Sequence, residues 1–297
     1  MSDRATDSSG DSATETFVAL RNLLFTVAYE MLGSAADAED VVQETWLRWS
    51  GVDHDSVRDP RAFLVRIVTR QALTRMRTLR RRKESYVGPW LPEPLLTAPD
   101  VAEDVELADT VSMAMLLVLE TLTPTERAVF VLREVFALEY DEIADAVDKT
   151  PTAVRQVAHR ARAHVAARRP RVDVSPAVTR EALQAFQRAV ETGDPQGLLD
   201  VMAPGVVLLA DGGGVVQAAR APIVGAARLA RFLSNFPASA SLHPAEVNGH
   251  PALVVRFEGV LDTVIGVRMD GGLIAELYAV RNPEKLSHMH RETTLHR

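Results

Sequence analysis

Arginine is the residue type through which this sequence could do its chemistry, because several guanidinium groups are spaced to share one face of a helix. The segment RQALTRMRTLRRRK at 70–83 contains most of them. At about 100° per residue, four arginines fall on one side of the predicted helix: Arg66, Arg70, Arg77 and Arg81. No acidic residue occurs between 61 and 83 to pair with them. Planar guanidinium groups suit phosphates and base edges, so the stripe predicts contact with nucleic acid.

The same basic helix, considered alone, is also compatible with roles that need no DNA. It could be a solvated helix face. It could lie on a membrane surface, although no aromatic anchor occurs between 64 and 83. The run at 80–83 could also be a nuclear localisation signal. The helix is expected to begin just after Asp59-Pro60. The DNA contact is predicted for its arginines: Arg66, Arg70, Arg75, Arg77, Arg80 and Arg81.

A second basic segment lies in a pair of helices that have clear start signals. Thr123, Pro124 and Glu126 match an N-cap, a first-turn proline and a capping box. A short helix and a turn follow before Thr150-Pro151 starts a further helix. The spacing predicts a helix-turn-helix whose second helix enters the major groove, although a packed helical hairpin with a basic outer face is the alternative. The predicted DNA-binding residues are Thr152, Arg155, Gln156, His159, Arg160 and Arg162.

Composition limits the kinds of site and the compartment. The chain of 297 residues has no cysteine, which excludes disulfides and thiolate zinc sites and fits a reducing cytosol. Its net charge is -7, yet basic segments at 61–96 and 151–174 alternate with acidic ones, so local patches decide the partners. The polar start lacks a signal-peptide core, and no apolar run approaches the ~20 residues of a membrane span. We expect a cytoplasmic protein with no membrane partner and a disordered tail at 1–14.

Three segments in order resemble the bacterial sigma factors of the extracytoplasmic-function (ECF) class in the sigma-70 family. SAADAEDVVQETWLRW at 34–49 resembles the helix that docks on the RNA polymerase clamp. DPRAFLVRIVTRQALTRMR resembles the segment that opens and reads the -10 element, although Arg70 and Thr74 stand where similar proteins often have Asn and Asp. The helix-turn-helix resembles the -35-reading region. The implied polymerase-binding residues are Asp37, Glu39, Asp40, Gln43, Glu44, Trp46 and Leu47.

Three further motifs resemble the SigJ-type subgroup, whose members carry a fused SnoaL-like domain. The motifs are WLPEP at 90–94, DGGG at 211–214 and NPEKL at 282–286. Val215 stands where the subgroup usually has lysine, and Glu284 where it usually has Asp. The resemblance implies an intramolecular regulatory contact through Trp90, Pro92, Asp211, Gly212, Gly213, Gly214, Asn282, Pro283 and Lys285.

The carboxy-terminal part predicts helices followed by alternating strands, which is an α+β pattern. Asn248-Gly249 and Asp270-Gly271 are hairpin turn signals. The glycine run is no phosphate-binding loop, because no GK[ST] follows it, so a tight hairpin between 206–210 and 215–219 or a contact with the sigma domains explains it better. Five titratable residues could do acid–base work, but turn or hairpin positions also account for them: Asp211, His243, His250, Asp262 and Asp270. We predict no catalytic residue, no metal and no cofactor.

The sequence thus predicts two all-α sigma domains, a helical bundle and then a helix-turn-helix, followed by an α+β SnoaL-like cone. The expected boundaries are a tail at 1–14, sigma region 2 at 15–84, a linker at 85–108, sigma region 4 at 109–171 and a regulatory domain at 175–297. The expected function is promoter recognition for core RNA polymerase through its clamp and flap regions, modulated in cis by the SnoaL-like domain. The alternatives are a helix-turn-helix regulator with a ligand-sensing domain and a small-molecule cyclase or isomerase.

Overall fold

The computed structural model describes residues 5–97, 104–168, 174–234, 236–237 and 239–297. The chain divides into two compact units. The helical unit comprises residues 1–81, 118–168 and 294–297, and the sheet unit comprises 82–117 and 169–293. Within the described ranges, no helix combines the length and the hydropathy of a membrane span.

The helices of the described chain are, in order, α1 Ala5–Leu32, α2 Ala35–Trp49, α3 Pro60–Glu84, α4 Val105–Val111, α5 Met113–Glu120, α6 Pro124–Phe130, α7 Tyr140–Val147, α8 Pro151–Ala166, α9 Pro176–Thr192, α10 Pro195–Val201, α11 Ala226–Leu233 and α12 Pro283–Leu286. A π-helical turn at Val131–Val135 continues α6. The strands are β1 Met202–Asp211, β2 Ile223–Val224, β3 Ala240–Val247, β4 His250–Phe257, β5 Val260–Asp270 and β6 Leu273–Val280.

Capping side chains set the starts of α2 and α3. The Ser34 hydroxyl accepts the Asp37 N–H at 3.1 Å and starts α2. Asp59 Oδ1 accepts the Ala62 N–H at 3.0 Å at the start of α3. The helix α3 then buries an aliphatic stripe: Leu64, Val65, Val68, Ala72, Leu73 and Leu79. The arginines of α3 therefore lie away from this buried stripe.

The amino-terminal helix is longer than the sequence predicts. Residues 5–14 belong to the expected disordered tail, whereas α1 begins at Ala5; residues 1–4 lie outside the described part of the chain. Trp49 Nε1 donates to the carbonyl oxygen of Ala13 at 2.9 Å, and both residues are buried. The Trp49 ring also packs 5.8 Å from the Phe63 ring. This contact ties Ala13, which lies within the expected tail, to the end of α2.

The helix-turn-helix forms where its start signals place it. Thr123 and Glu126 make both bonds of a capping box at the start of α6. Asp148 ends α7 with a left-handed φ of 56°, and the Thr150 hydroxyl then caps α8. The helix α8 buries an aliphatic stripe: Val154, Val157, Ala158, Ala161 and Val165.

The sheet unit is built on one six-stranded sheet in the order β2-β1-β6-β5-β4-β3. The β1–β6 pair is parallel and the other pairs are antiparallel. Adjacent residues of β6 show the two faces: Leu277 joins the core under α9, α10 and α11, whereas Tyr278 joins a second core. That second core contains Leu91 and Met113, so the segment before α6 covers the other face of the sheet.

The turns of the sheet unit agree with the sequence except at the glycine run. Asn248-Gly249 and Asp270-Gly271 join β3 to β4 and β5 to β6, as predicted. The run 211–214 does make a tight turn, in which the Val215 N–H bonds the Gly212 carbonyl at 3.0 Å. Residues 215–219 are not a strand, however, and β1 pairs with β2 instead. The expected tight hairpin is thus a longer connection, because the residues after the turn do not pair back onto β1.

Replacing Thr150 by alanine should lower the free energy of unfolding by about 1 kcal/mol, because α8 loses its N-cap bond to the Ala153 N–H. Thr152→Ala is the matched control, since Thr152 is exposed and caps no helix, and it should change stability by less than about 0.5 kcal/mol. Urea unfolding followed by circular dichroism measures both. Equal losses in the two variants would contradict the assigned cap.

Candidate nucleic-acid interface and linker site

The predicted reading face of α8 is solvent-exposed. The aliphatic stripe of this helix is buried, and the side chains predicted to contact DNA are all exposed. The exposed residues are Thr152, Arg155, Gln156, His159, Arg160 and Arg162. Residues from 151 to 166 include no acid, so this face presents donors and positive charge to solvent. Such a surface on the second helix of a helix-turn-helix can enter a major groove and bond both base edges and phosphates.

Neighbouring side chains fix the orientation of these arginines. The Arg155 guanidinium lies 5.4 Å from the centroid of the Tyr140 ring. Arg162 pairs with Glu134 at 3.4 Å. Arg160 lies 3.9 Å from Glu126, whose pKa is held below its ordinary value by the Thr123 hydroxyl bond and, more weakly, by Arg160. These three arginines are thus partly oriented by contacts within the protein.

The arginines of α3 fall into two groups. The distal ones are exposed on the open side of the helix: Arg77, Arg80 and Arg81. The others contact the protein itself. Arg75 bonds Asp37 and Asp40, each at 2.6 Å; burial alone would lower its pKa, but these two carboxylates raise it. Arg66 lies 5.0 Å from the Phe63 ring centroid.

Arg70 makes a contact that connects the two halves of the helical unit. Its Nη2 donates to the carbonyl oxygen of Asp145 in the last turn of α7 at 2.7 Å. The C-terminal end of a helix carries partial negative charge, so a guanidinium there is stabilised. A cleft of about 340 Å³ beside this contact is lined by Phe63 and Arg66 from α3 and by Glu142 from α7.

The acidic face of α2 is part buried and part exposed. Asp37 is buried against Arg75, and Glu39 pairs with Arg21 at 2.5 Å. Glu44 accepts a bond from Gln71 at 2.9 Å. The Trp46 ring packs 5.0 Å from Phe17. The residues of this face that remain exposed are Asp40, Gln43, Glu44 and Leu47, and the Leu47 side chain is 70% exposed.

In the sheet unit, the buried carboxylate of Asp211 accepts bonds from four donors. Asp211 accepts bonds from the Tyr86 hydroxyl at 2.6 Å, the Leu91 N–H at 2.8 Å and the Gly213 N–H at 3.0 Å. The Lys285 ammonium lies 2.7 Å away and also donates to the Leu91 carbonyl at 2.5 Å. Asp211 is fully buried and Lys285 nearly so. All three motifs predicted to act together therefore meet, and we call Asp211, Lys285, Tyr86 and Leu91 the linker anchor.

Aromatic rings and glycines complete the linker anchor. The Trp90 ring centroid lies 4.2 Å from Lys285 Nζ and 3.3 Å from Lys83 Nζ. Gly213 has a φ of +64°, and a Cβ there would collide with the Asn282 amide. Glycine is therefore required at this position for both its backbone conformation and its lack of a side chain. Pro92 is buried, and Pro283 starts α12 after the Asn282 cap.

Two residues of this site were not predicted. Tyr86 bonds both Asp211 and the Asn282 amide, the latter at 2.9 Å, and burial with the Asp211 bond raises its pKa. Asn248 Oδ1 accepts the Leu95 N–H at 2.9 Å, and its Nδ2 donates to the Val111 carbonyl at 2.8 Å. The sequence signal at Asn248 is a hairpin turn, which says nothing of its side-chain partners. Tyr86 precedes the recognised WLPEP motif and carries no signal of its own.

Three of the five groups considered for acid–base chemistry make structural contacts. Asp211 is saturated by the linker anchor, and His243 lies 2.9 Å from the Ser241 hydroxyl. Burial alone would raise the pKa of Asp262, but the bonds from Arg281 and Thr263 lower it. In the part of the chain that the structure describes, no three His, Asp or Glu residues are placed to hold a metal ion.

Asp211→Asn should destabilise the sheet unit by about 3–5 kcal/mol, because it removes the charge of one member of a buried ion pair with Lys285. Asp262→Asn is the control: it breaks a more exposed pair with Arg281 and should cost at most about 1 kcal/mol. Thermal unfolding of both variants measures the difference. An Asp211→Asn loss no larger than the control would contradict the anchoring role.

Two protein-family models match the helical regions of this chain. The model of "Sigma-70 region 2" matches residues 16–82, and the model of "Sigma-70, region 4" matches residues 112–165. ECF RNA polymerase sigma factor SigJ of Mycobacterium tuberculosis is 32% identical over 91% of this chain and 92% of its own length. A probable ECF RNA polymerase sigma factor, SigI, of the same species is 31% identical over 95% of this chain and 97% of its own length.

A solved structure matches along nearly the whole chain. The crystal structure of M. tuberculosis SigJ has a TM-score of 0.73 at 30% identity and covers 93% of this chain and 98% of that one. This coverage includes both helical regions and the sheet unit. The chain therefore belongs to the ECF sigma factors of the sigma-70 family, which bind core RNA polymerase and promoter DNA to direct transcription initiation, and to their SigJ-type subgroup with a fused SnoaL-like domain.

Proposed function

We propose that this sigma factor reads the -35 element with α8 and engages the -10 region with α3. The observation that carries the proposal is the exposed, acid-free face of α8. Arg155, Gln156 and His159 lie in its first turns, where a recognition helix meets base edges. Arg160 and Arg162 lie farther along and are assigned to phosphates.

On α3, the proposed -10 surface is its exposed distal part. Among the described residues, no carboxylate pairs with Arg77, Arg80 or Arg81, so their charge remains available for phosphates. A separated DNA strand needs such a cationic surface. Arg75 has a different assignment, because its two bonds to α2 make it a support for the acidic face.

The exposed part of α2 is proposed as the polymerase-docking surface, directed at the clamp. Leu47 offers apolar area beside the carboxylates of Asp40 and Glu44, a combination suited to a basic partner with an apolar centre. The region that contains α6 to α8 is proposed to contact the flap.

We further propose that the helical unit, with α3 and α7 joined, is the inactive form. Arg70 ties α3 to Asp145, and Arg127 is buried with its Nε on the Glu30 carbonyl of α1 at 2.8 Å. The -10 and -35 elements are about 25 base pairs apart, or roughly 85 Å at 3.4 Å per pair. Helices in hydrogen-bond contact cannot reach both, so these contacts have to open for promoter binding.

The SnoaL-like domain is proposed to hold this form through two connections. Residues 82–117 link the two parts of the helical unit, and the linker anchor binds them to the carboxy-terminal domain. At the other end, residues 294–297 follow that domain and belong to the helical unit, where the His296 N–H bonds the Thr26 hydroxyl at 3.1 Å. The domain thus immobilises residues 82–117, which would otherwise behave as a flexible linker between the two parts of the helical unit.

Run-off transcription with core RNA polymerase, followed by start-site mapping, tests the main proposal. The purified chain should bind core polymerase and direct defined start sites. A stand-alone helix-turn-helix regulator would bind DNA without binding core polymerase, so that result would contradict the assignment. The SnoaL-like domain is proposed to be regulatory and not catalytic, since two of its candidate acid–base groups, Asp211 and Asp262, are held in structural bonds.

Replacing Arg77 and Arg81 by alanine should impair promoter opening more than -35 binding, because both side chains are assigned to the -10 strand. The slope of log affinity against log salt for the opened promoter should fall by about 1.4, or ~0.7 for each lost phosphate contact on a single strand. Permanganate footprinting and filter binding measure the two steps. Equal loss of both steps would count against the assignment.

Releasing the linker should raise transcription. Asp211→Asn and deletion of residues 294–297 should each increase the run-off yield several-fold at limiting protein, because each removes one connection to the domain. Tyr86→Phe, a milder change, should act in the same direction. Asp262→Asn is the control and should leave the yield unchanged. Unchanged or lower yield in all three release variants would contradict cis inhibition.

A further inference from the structure

Three arginines surround Tyr140, the first residue of α7. The guanidinium of Arg133, from the π-helical turn, lies 4.7 Å from the ring centroid. The guanidinium of Arg155, from α8, lies 5.4 Å from the same centroid. Arg162 Nη2 donates to the Tyr140 hydroxyl at 3.2 Å. Two of these three arginines belong to the proposed DNA-reading face.

The partners of the three arginines differ in charge. Arg162 has a carboxylate partner in Glu134, and Arg133 lies 3.4 Å from Glu139 and donates to the Leu138 carbonyl at 2.6 Å. Among the residues that the structure describes, no carboxylate pairs with Arg155. An aromatic face attracts a cation without neutralising it, so Arg155 keeps its full charge for DNA. A carboxylate in the same place would compete with phosphate.

Spacing on α8 explains how one tyrosine serves two arginines. Arg155 and Arg162 are seven residues apart, which is about two turns and roughly 10.5 Å along one helix face. The ring of Tyr140 lies near the first, and its hydroxyl lies near the second. The single side chain of Tyr140 therefore contacts both arginines.

We propose that Tyr140 is a positioning residue for promoter recognition. Its ring holds Arg155 and its hydroxyl holds Arg162 in the orientations that α8 presents to the -35 element. Holding them in place reduces the conformational entropy lost when the arginines bind DNA. This inference rests on the proposed function of α8 and adds a residue that itself lies outside the recognition helix.

Promoter affinity of the reconstituted holoenzyme tests the proposal, with a promoter fragment taken from the start-site mapping and a copy whose -35 element is scrambled. Tyr140→Phe keeps the ring and should weaken binding about twofold. Tyr140→Leu removes both contacts and should weaken binding about fivefold to tenfold, as expected for a cation–π contact and a hydrogen bond. Tyr140→Leu should also reduce the preference for the intact -35 element. Tyr278→Phe, in the sheet unit, is the control and should change neither quantity.

A double-mutant cycle separates positioning from other roles. In an Arg155→Ala/Arg162→Ala background, Tyr140→Leu should cause no further loss of affinity, because nothing remains for Tyr140 to position. An undiminished loss in that background would overturn the proposal, since Tyr140 would then contact DNA directly or support the fold. Failure of the unmodified holoenzyme to prefer the intact promoter would instead contradict the proposed function.

Discussion

The buried ion pair between Asp211 and Lys285 is the interaction on which the arrangement of the chain depends. Both groups are almost completely removed from water, and each also bonds the backbone of Leu91. A buried charge that loses its partner is costly, so the pair tolerates little displacement of the linker. The Tyr86 hydroxyl bonds the Asp211 carboxylate, and the Trp90 ring packs against the Lys285 ammonium. A segment that could have been a loose connection is thereby made part of the SnoaL-like domain.

The two helices proposed to bind DNA, α3 and α8, use charge in a different way. Their arginines lie at the surface, where bonds to carboxylates contribute little to stability. What the neighbouring groups provide is orientation: Arg75 supports the acidic face of α2, and Tyr140 holds Arg155 without cancelling its charge. Arg70 is the exception, because it bonds the end of α7. A residue that departs from the usual family pattern on α3 thus makes the contact that joins the two sigma regions.

Much of the fold was predictable because local signals and the buried pattern agree. The caps at Thr123 and Thr150 and the aliphatic stripe of α8 define the helix-turn-helix from short stretches of sequence. Side-chain partners far apart in the chain were predictable only where a family motif marked them. Tyr86 lies 125 positions from Asp211, and no local pattern connects them. The start of α1 at Ala5 was not predicted, because the polar composition of residues 5–14 alone suggests disorder.

The two sigma regions are proposed to be held together in the free protein and to separate on the promoter. The chain has no cysteine, so two labels can be attached specifically at Thr78→Cys on α3 and Ala166→Cys on α8, both exposed. Energy transfer between the labels should report one short distance in the free protein and a distance longer by tens of ångströms in the holoenzyme–promoter complex, as an ~85 Å separation of the elements requires. The same distance in both states would contradict the account.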